Sequence, residues 1–164
     1  MLDSKAAEEL KGAGLTAYNH NLDTSREFYP EVIITRRFGE RLRTIENVRG
    51  AGISVCTEGV LGLGETVENH VSFLHTLPTP PEHYRSVLIN ALVLIKETPL
   101  GENKMVLFDS FLRDVVAARI LMPESIVRLV LAFFAGANVA FTGERMLTTE
   151  CSGLIGVCLR SGGG

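Results

Sequence analysis

Ile53-Ser54-Val55-Cys56-Thr57-Glu58-Gly59-Val60-Leu61-Gly62-Leu63-Gly64-Glu65-Thr66 is the stretch on which the fold turns. Ile53 to Cys56 is rich in β-branched residues and predicts a strand. The strand runs into a glycine-bearing segment, Gly59 to Gly64, and Glu65 to Leu77 predicts a helix directly behind it. Pro78, Pro80 and Pro81 break the chain, and Val87 to Ile95 is nearly all apolar, as a strand covered on both faces should be. Strand, glycine turn, helix, buried strand is the pattern of a parallel βα unit.

The same alternation extends in both directions. Towards the N-terminus, residues 35–49 carry Phe38, Leu42, Ile45 and Val48 on one helical face; Thr35 is the expected cap and Gly50 with Gly52 the stop. A strand is predicted from Leu15 to Tyr18 and a short helix over residues 4–11, capped by Asp3 or Ser4. Asn19 to Ser25 is rich in turn formers and reads as a loop. Towards the C-terminus, Met105 to Leu121 predicts a helix with Leu107, Phe111, Val115, Ala118 and Leu121 along one side, and short strands follow at Ser125 to Leu131 and Asn138 to Phe141. The eight residues from Val130 to Ala137 are short for a parallel crossover, so that connection is strained or the last two strands are not parallel neighbours. The count is about five strands. A closed (β/α)₈ barrel has eight, so the expected fold is α/β, a smaller open sheet or part of a barrel.

Composition agrees with one soluble domain: 164 residues, 46% apolar and 21% charged. The net charge of −3 gives no basic excess for nucleic acid or an anionic membrane. No apolar run is long enough to cross a bilayer, and Met1-Leu2-Asp3-Ser4-Lys5 carries no targeting pattern. Cys56, Cys151 and Cys158 are odd in number and form no CxxC pair, which fits a reducing compartment better than a disulfide scaffold.

In parallel α/β folds the site lies at the carboxyl ends of the strands, and four polar clusters fall there. Asn19, His20, Asn21 and Asp23 follow the first strand; the amides can donate and accept, and Asp23 can accept from a hydroxyl or an ammonium. A capped turn would use the same residue types. Cys56 is expected at a strand end, ahead of the Gly62–Thr66 turn, where glycines would let backbone amides approach a ligand and a helix begins; a buried small apolar cysteine is the plainer reading. Asn90 interrupts an apolar run and needs a partner in the core or a ligand. Arg128 needs an anion if it faces inward, or solvent if it lies at a sheet edge. His20, His70, His75 and His83 have no metal-ligand spacing; His70 and His75 are expected to be solvated.

Specific residues add a family. Tyr18-Asn19-His20-Asn21-Leu22-Asp23-Thr24-Ser25 closely resembles the signature segment of the biotin synthases, which are radical S-adenosylmethionine enzymes. The resemblance continues in order through Arg41-Leu42, Val48 to Ile53, Val55-Cys56, Gly62 to Val67, Leu77 to Glu82, Ile89-Asn90, Thr98-Pro99-Leu100, Ala118-Arg119-Ile120, Met122-Pro123, Val127-Arg128-Leu129, Ala135 to Asn138 and Leu147-Thr148-Thr149. It implies a partial, parallel TIM-type barrel of about five of eight strands over residues 1–149, followed by a divergent tail over 150–164.

The resemblance also implies a chemistry. A 4Fe–4S cluster donates an electron to S-adenosylmethionine, the resulting radical takes hydrogen from dethiobiotin, and a 2Fe–2S cluster supplies the sulfur that closes the ring. By the same resemblance Asn21, Asp23, Arg41 and Val60 belong to the cofactor side, with Asp23 at the ribose and Arg41 near the carboxylate of S-adenosylmethionine. Asn19, Asn21 and Asn90 face dethiobiotin, and Thr148 and Thr149 its carboxylate end. Cys56 and Arg128 match two of four ligands of the 2Fe–2S cluster. The family's Cys-x3-Cys-x2-Cys triplet, two further cysteine ligands and roughly three strands would lie upstream of Met1, so the expectation is an incomplete enzyme, inactive as it stands. The alternative is a non-catalytic paralogue that binds a nucleoside, a biotin-like ligand or a partner protein. The family works in the bacterial cytosol or in mitochondria, as homodimers, without nucleic acid or membrane.

Overall fold

The computed structural model describes residues 1–78 and 84–129, and beyond them only the backbone of three short strand segments. Helix α1, Ser4–Gly12, starts where the Asp3 carboxylate accepts the Ala6 N–H at 2.8 Å. Strand β1 covers Ala17–Asn19. It begins two residues later than expected because the Leu15 N–H is still tied to the Leu10 carbonyl at the end of α1. A four-residue helix α2, Tyr29–Val32, has no counterpart in the sequence reading. Helix α3 is Phe38–Gly50. Its cap is at Arg37 and not Thr35, because the Glu40 carboxylate accepts the Arg37 N–H at 2.8 Å.

Strand β2 is Ser54–Leu61, eight residues long, so the glycine segment begins inside the strand and Cys56 lies within it and not at its end. Helix α4, Val67–Thr76, follows a Thr66–Asn69 capping box. Strand β3 is Ser86–Ala91 and stops four residues short of Ile95. After the Leu92 N–H reaches the Leu61 carbonyl, β2 has ended and β3 has no neighbour to pair with; Val93 and Ile95 come out exposed. Helix α5 is Phe108–Leu121; the expected first turn is extended, with Leu107 at its cap, exposed. Strand β4 is Ile126–Leu129 and β5 is Val139–Ala140.

The five strands form one sheet in the order β1-β2-β3-β4-β5, every pair parallel. From β1 to β4 consecutive parallel neighbours are joined through helices, the βα progression of a barrel wall. β4 and β5 are parallel neighbours, Arg128 opposite Val139, which removes one of the two outcomes expected of that short connection. Two further strands, β6 (Arg145–Met146) and β7 (Thr149–Glu150), make a separate antiparallel pair.

Side-chain alternation gives the sheet two faces. Val55, Gly59 and Leu61 of β2, Val87 and Ile89 of β3 and Val127 of β4 are buried against the helices. There they join Ile45 and Val48 of α3, Phe73, Leu74 and Leu77 from α4 and its end, and Phe111, Val115 and Ala118 of α5. The opposite face carries Cys56, Glu58 and Val60, then Leu88 and Asn90, then Arg128, all only half-buried. One glycine serves this packing directly: a Cβ on Gly59 would overlap the ring of Phe73 on α4.

Candidate functional site

Register decides what meets on the half-buried face. Asn19 lies opposite Cys56, Cys56 opposite Ser86, and Ser86 opposite Ile126. One layer further along, Glu58 lies opposite Leu88, and Leu88 opposite Arg128. In the next layer Val60 lies opposite Asn90. Cys56 and Arg128 thus share a face, two strands apart and one layer removed. Arg128 sits between β3 and β5, not at an edge of the five-stranded sheet.

The loop after β1 folds back onto this face. An isolated parallel bridge joins Asp23 to Gly59; the Leu22 and Asp23 N–H groups donate to the Glu58 carbonyl, and Val60 N–H donates to the Asp23 carbonyl at 2.7 Å. Asp23 holds φ at 68°, a left-handed conformation that Asp tolerates better than most residues. These backbone ties aim the loop's side chains along β2. Asn19 Nδ2 donates to Asn21 Oδ1 at 3.0 Å, and Asn21 Nδ2 donates to Glu58 Oε2 at 3.0 Å. From the other side Asn90 Nδ2 donates to Glu58 Oε1 at 3.4 Å. Glu58 therefore bridges two asparagines 69 positions apart in the chain, Asn21 and Asn90.

At the rim, Arg41 of α3 reaches the loop. Its Nη2 is 3.0 Å from Asp23 Oδ2, and its Nε donates to Tyr29 Oη at 2.9 Å. Tyr29 is fully buried, so it fixes the guanidinium from below. Burial raises the Asp23 carboxyl above its usual range, and Arg41 offsets only part of that rise. His20 is pushed down to about 4 by burial, by Arg41 and by the N-terminal ammonium, so its ring is neutral at pH 7. The ring stacks on Tyr18 at 6.0 Å.

The glycine turn is built differently from its sequence reading. Gly62 (φ 95°) gives its N–H to Glu65 Oε1 at 2.6 Å, and its carbonyl accepts from Asn103 Nδ2 at 3.2 Å. Glu65 Oε1 also accepts from His70 Nε2 at 2.9 Å, while His70 Nδ1 faces Asp114 Oδ2 of α5 at 2.8 Å. His70, expected in solvent, is thus clamped between two carboxylates with its side chain 13% exposed. Its hydrogen bonds to Asp114 and Glu65 push its pKa up to about 9, so it is a cation at neutral pH. Burial works to raise the Glu65 carboxyl, but the bonds from His70 and Gly62 outweigh it and hold it below the usual range. His75 is exposed, as expected.

Of the residues singled out from sequence, Asn19, Asn21, Asp23, Cys56, Val60, Asn90 and Arg128 come together on the face or its rim, with Arg41 completing the rim. Thr148 lies outside the described residues, and of Thr149 only the pairing of its backbone with Met146 is described. Glu58 was missed. The signal was present: it follows Cys56 by two and precedes Val60 by two, the spacing of one strand face. For iron–sulfur ligation, Cys56 is the one free thiol among the described residues, and no group of three His, Cys, Asp or Glu there could hold a metal ion. The pair Cys56 and Arg128 fits half of the implied 2Fe–2S set and no more.

Residues 1–77 match the Radical SAM superfamily and residues 89–158 the Biotin and Thiamin Synthesis associated domain. Over 93% of this chain it is 54% identical to the mitochondrial biotin synthase of Emericella nidulans, and over 91% it is 52% identical to that of Arabidopsis thaliana. The biotin synthase of Acinetobacter baumannii is 47% identical over 93% of the chain. The chain spans 42, 43 and 50% of the length of these three relatives. Among solved structures, methylornithine synthase superposes on 85% of the chain with a TM-score of 0.72 at 18% identity, covering 44% of that protein. The hydrogenase maturase HydG superposes on 79% of the chain with a TM-score of 0.64 at 17% identity, covering 31% of that protein. These two similarities bear on the fold alone.

Proposed function

Because the chain belongs to the biotin synthase family of radical SAM proteins, we propose that its half-buried sheet face is the part of a sulfur-insertion site that holds dethiobiotin and the nucleoside end of S-adenosylmethionine. One observation carries the reading: Asn21 and Asn90, far apart in sequence, converge on one carboxylate, with Asp23 and Arg41 paired beside them. When bound, S-adenosylmethionine and the iron–sulfur centres supply the radical and the sulfur.

This chain's own groups bind and orient. In this reading Asp23 accepts from the ribose hydroxyls, with its charge held by Arg41 and the geometry of Arg41 held by Tyr29. Asn21 and Asn90 present amide N–H groups to the ureido ring, and Val60 closes the apolar side of the nucleoside. Cys56 and Arg128 stand as two cluster ligands, and Thr148 with Thr149 as contacts for the substrate carboxylate. By sequence, residues 1–149 are assigned to the barrel part and 150–164 to a divergent tail, with the Biotin and Thiamin Synthesis associated domain match running on to residue 158. The assembly is a homodimer in the bacterial cytosol or the mitochondrion; among the described residues no helix is long and apolar enough to cross a membrane. The chain taken alone is inactive, because a complete cluster set is absent from its described residues.

The test is a chimera. The matching segment of the Emericella nidulans enzyme is exchanged for residues 1–158 of this chain, and growth of a biotin-requiring strain on dethiobiotin is measured. Growth is expected, and Asn21→Ala or Asp23→Ala in the chimera should abolish it. A soluble, cluster-loaded chimera that supports no growth overturns the reading.

A further inference from the structure

The reading above gives Glu58 no part in contacting a ligand, yet it is the hub of the network. It projects from β2 on the open face, half-buried, one layer above Cys56 and one below Val60. Its two oxygens divide their work: Oε2 accepts from Asn21 and Oε1 from Asn90. The two amide oxygens are also engaged. Asn21 Oδ1 accepts from Asn19, and Asn90 Oδ1 accepts the N–H of Ala91 at 3.1 Å.

What this leaves for a ligand follows from counting donors and acceptors. Each NH₂ group has two hydrogens, and one of each goes to Glu58. The remaining hydrogens can meet a carbonyl oxygen. A carboxylate has about four acceptor positions, and the asparagines take two. The remaining lone pairs can accept only from a donor. Two amide donors flanking a carboxylate match a group that carries a carbonyl and an N–H side by side. A ligand with the carbonyl alone would leave a partly buried anion facing a carbon.

We propose that Glu58 is the specificity-determining residue of this site: it selects a ureido or amide ligand by its N–H, while Asn21 and Asn90 take the carbonyl. The assignment rests on the substrate side of the proposed function and adds to it a requirement for a donor.

The test compares three neutral ring heads on one tail: dethiobiotin and its two lactam analogues, in each of which one ring N–H is replaced by CH₂ with the carbonyl kept. Binding to this chain is followed by ligand-observed NMR titration. Wild type should prefer dethiobiotin to one of the lactams by about tenfold, the size expected of a hydrogen bond to a charged group. Glu58→Leu should bind all three heads within about twofold of one another. Glu58→Gln keeps a carbonyl acceptor and should retain roughly a threefold preference, which covers the case in which Glu58→Leu fails to fold. A merely structural role would weaken the three ligands equally and leave their ratios unchanged. Equal binding of all heads by wild type, or an unchanged preference in Glu58→Leu or Glu58→Gln, overturns the role of Glu58 and leaves the proposed function standing. No binding of any head to the wild-type chain overturns both.

Discussion

Raising the pH should unclamp His70, and the loss can be sized. The ring lies between Glu65, whose side chain is 2% exposed, and Asp114, 13% exposed, with contacts of 2.9 and 2.8 Å. Its pKa is pushed from 6.5 to about 9, which corresponds to about 3 kcal/mol of preference for the folded state when the ring is charged. The sign follows from linkage. A group whose folded pKa is raised contributes fully below its unfolded value of 6.5 and loses its contribution as pH climbs to about 9. Across that window stability should fall by roughly 1.4 kcal/mol per pH unit. His20 works in the opposite direction: its pKa is lowered to about 4, so its contribution is complete above 6.5 and lost as pH falls. Together the two place the stability maximum near pH 6.5. Urea unfolding at fixed ionic strength from pH 5 to 9.5 measures the profile, and His70→Gln should flatten its alkaline limb. An NMR titration of the His70 ring with a midpoint at or below 6.5, or a His70→Gln profile parallel to wild type, refutes the clamp.

Three other substitutions test separate parts of the structure. Gly59→Ala puts a methyl group into the Phe73 ring and should cost about 1–3 kcal/mol in urea unfolding; adding Phe73→Leu should recover a part of it, and additive costs would contradict the contact. Tyr29→Phe removes the oxygen on which Arg41 Nε rests and should cost about 1 kcal/mol; because Arg41 holds the Asp23 carboxyl down, a loosened guanidinium should let the Asp23 pKa rise, read by carboxyl carbon shifts, and a still Asp23 would refute the support. Thr66→Ala removes the oxygen that caps α4 and should cost about 1 kcal/mol by thermal or urea unfolding, whereas Thr66→Asp should be nearly neutral; equal losses would mean that the cap contributes nothing.

The fold was legible because local patterns and tertiary demands agree. Phe38, Ile45 and Val48 recur at helical spacing and are the apolar residues that α3 buries; Phe111, Val115 and Ala118 do the same in α5. The end of β3 was not legible, since Leu92 to Ile95 are as apolar as the strand before them, and only the end of β2 at Leu61 decides where pairing stops. His70 escaped for the same reason: Asp114 is 44 positions away and no local pattern announces it. Glu58 is a different case. Its position on the face was readable from β2's alternation once the strand was allowed to run through Gly59, but a glycine counts against strand in a sequence, and here it is present because Phe73 fills the space.

That reassignment of the glycines bears on the proposed place of ligand recognition. A glycine turn ahead of a helix invites an anion when its amides point outward with nothing to bind. Here Gly59 is spent on clearance for a ring, and Gly62 has its N–H on Glu65 and its carbonyl on Asn103. Glu65 is in turn anchored by a cationic His70 that reaches across to α5. A ligand that competed for the Gly62 N–H would have to displace a carboxylate already holding two donors, so that amide serves as a buttress. In the proposed function recognition falls to the side chains that strand register gathers on the open face. A carboxylate anchored from two sides there, by Asn21 and Asn90, is pre-positioned, and ordering it on binding costs little. The rigidity behind the sheet and the selectivity in front of it have different sources: loss of the His70 clamp should shift stability and leave ligand preference intact, whereas replacing Glu58 should remove the preference for an N–H donor.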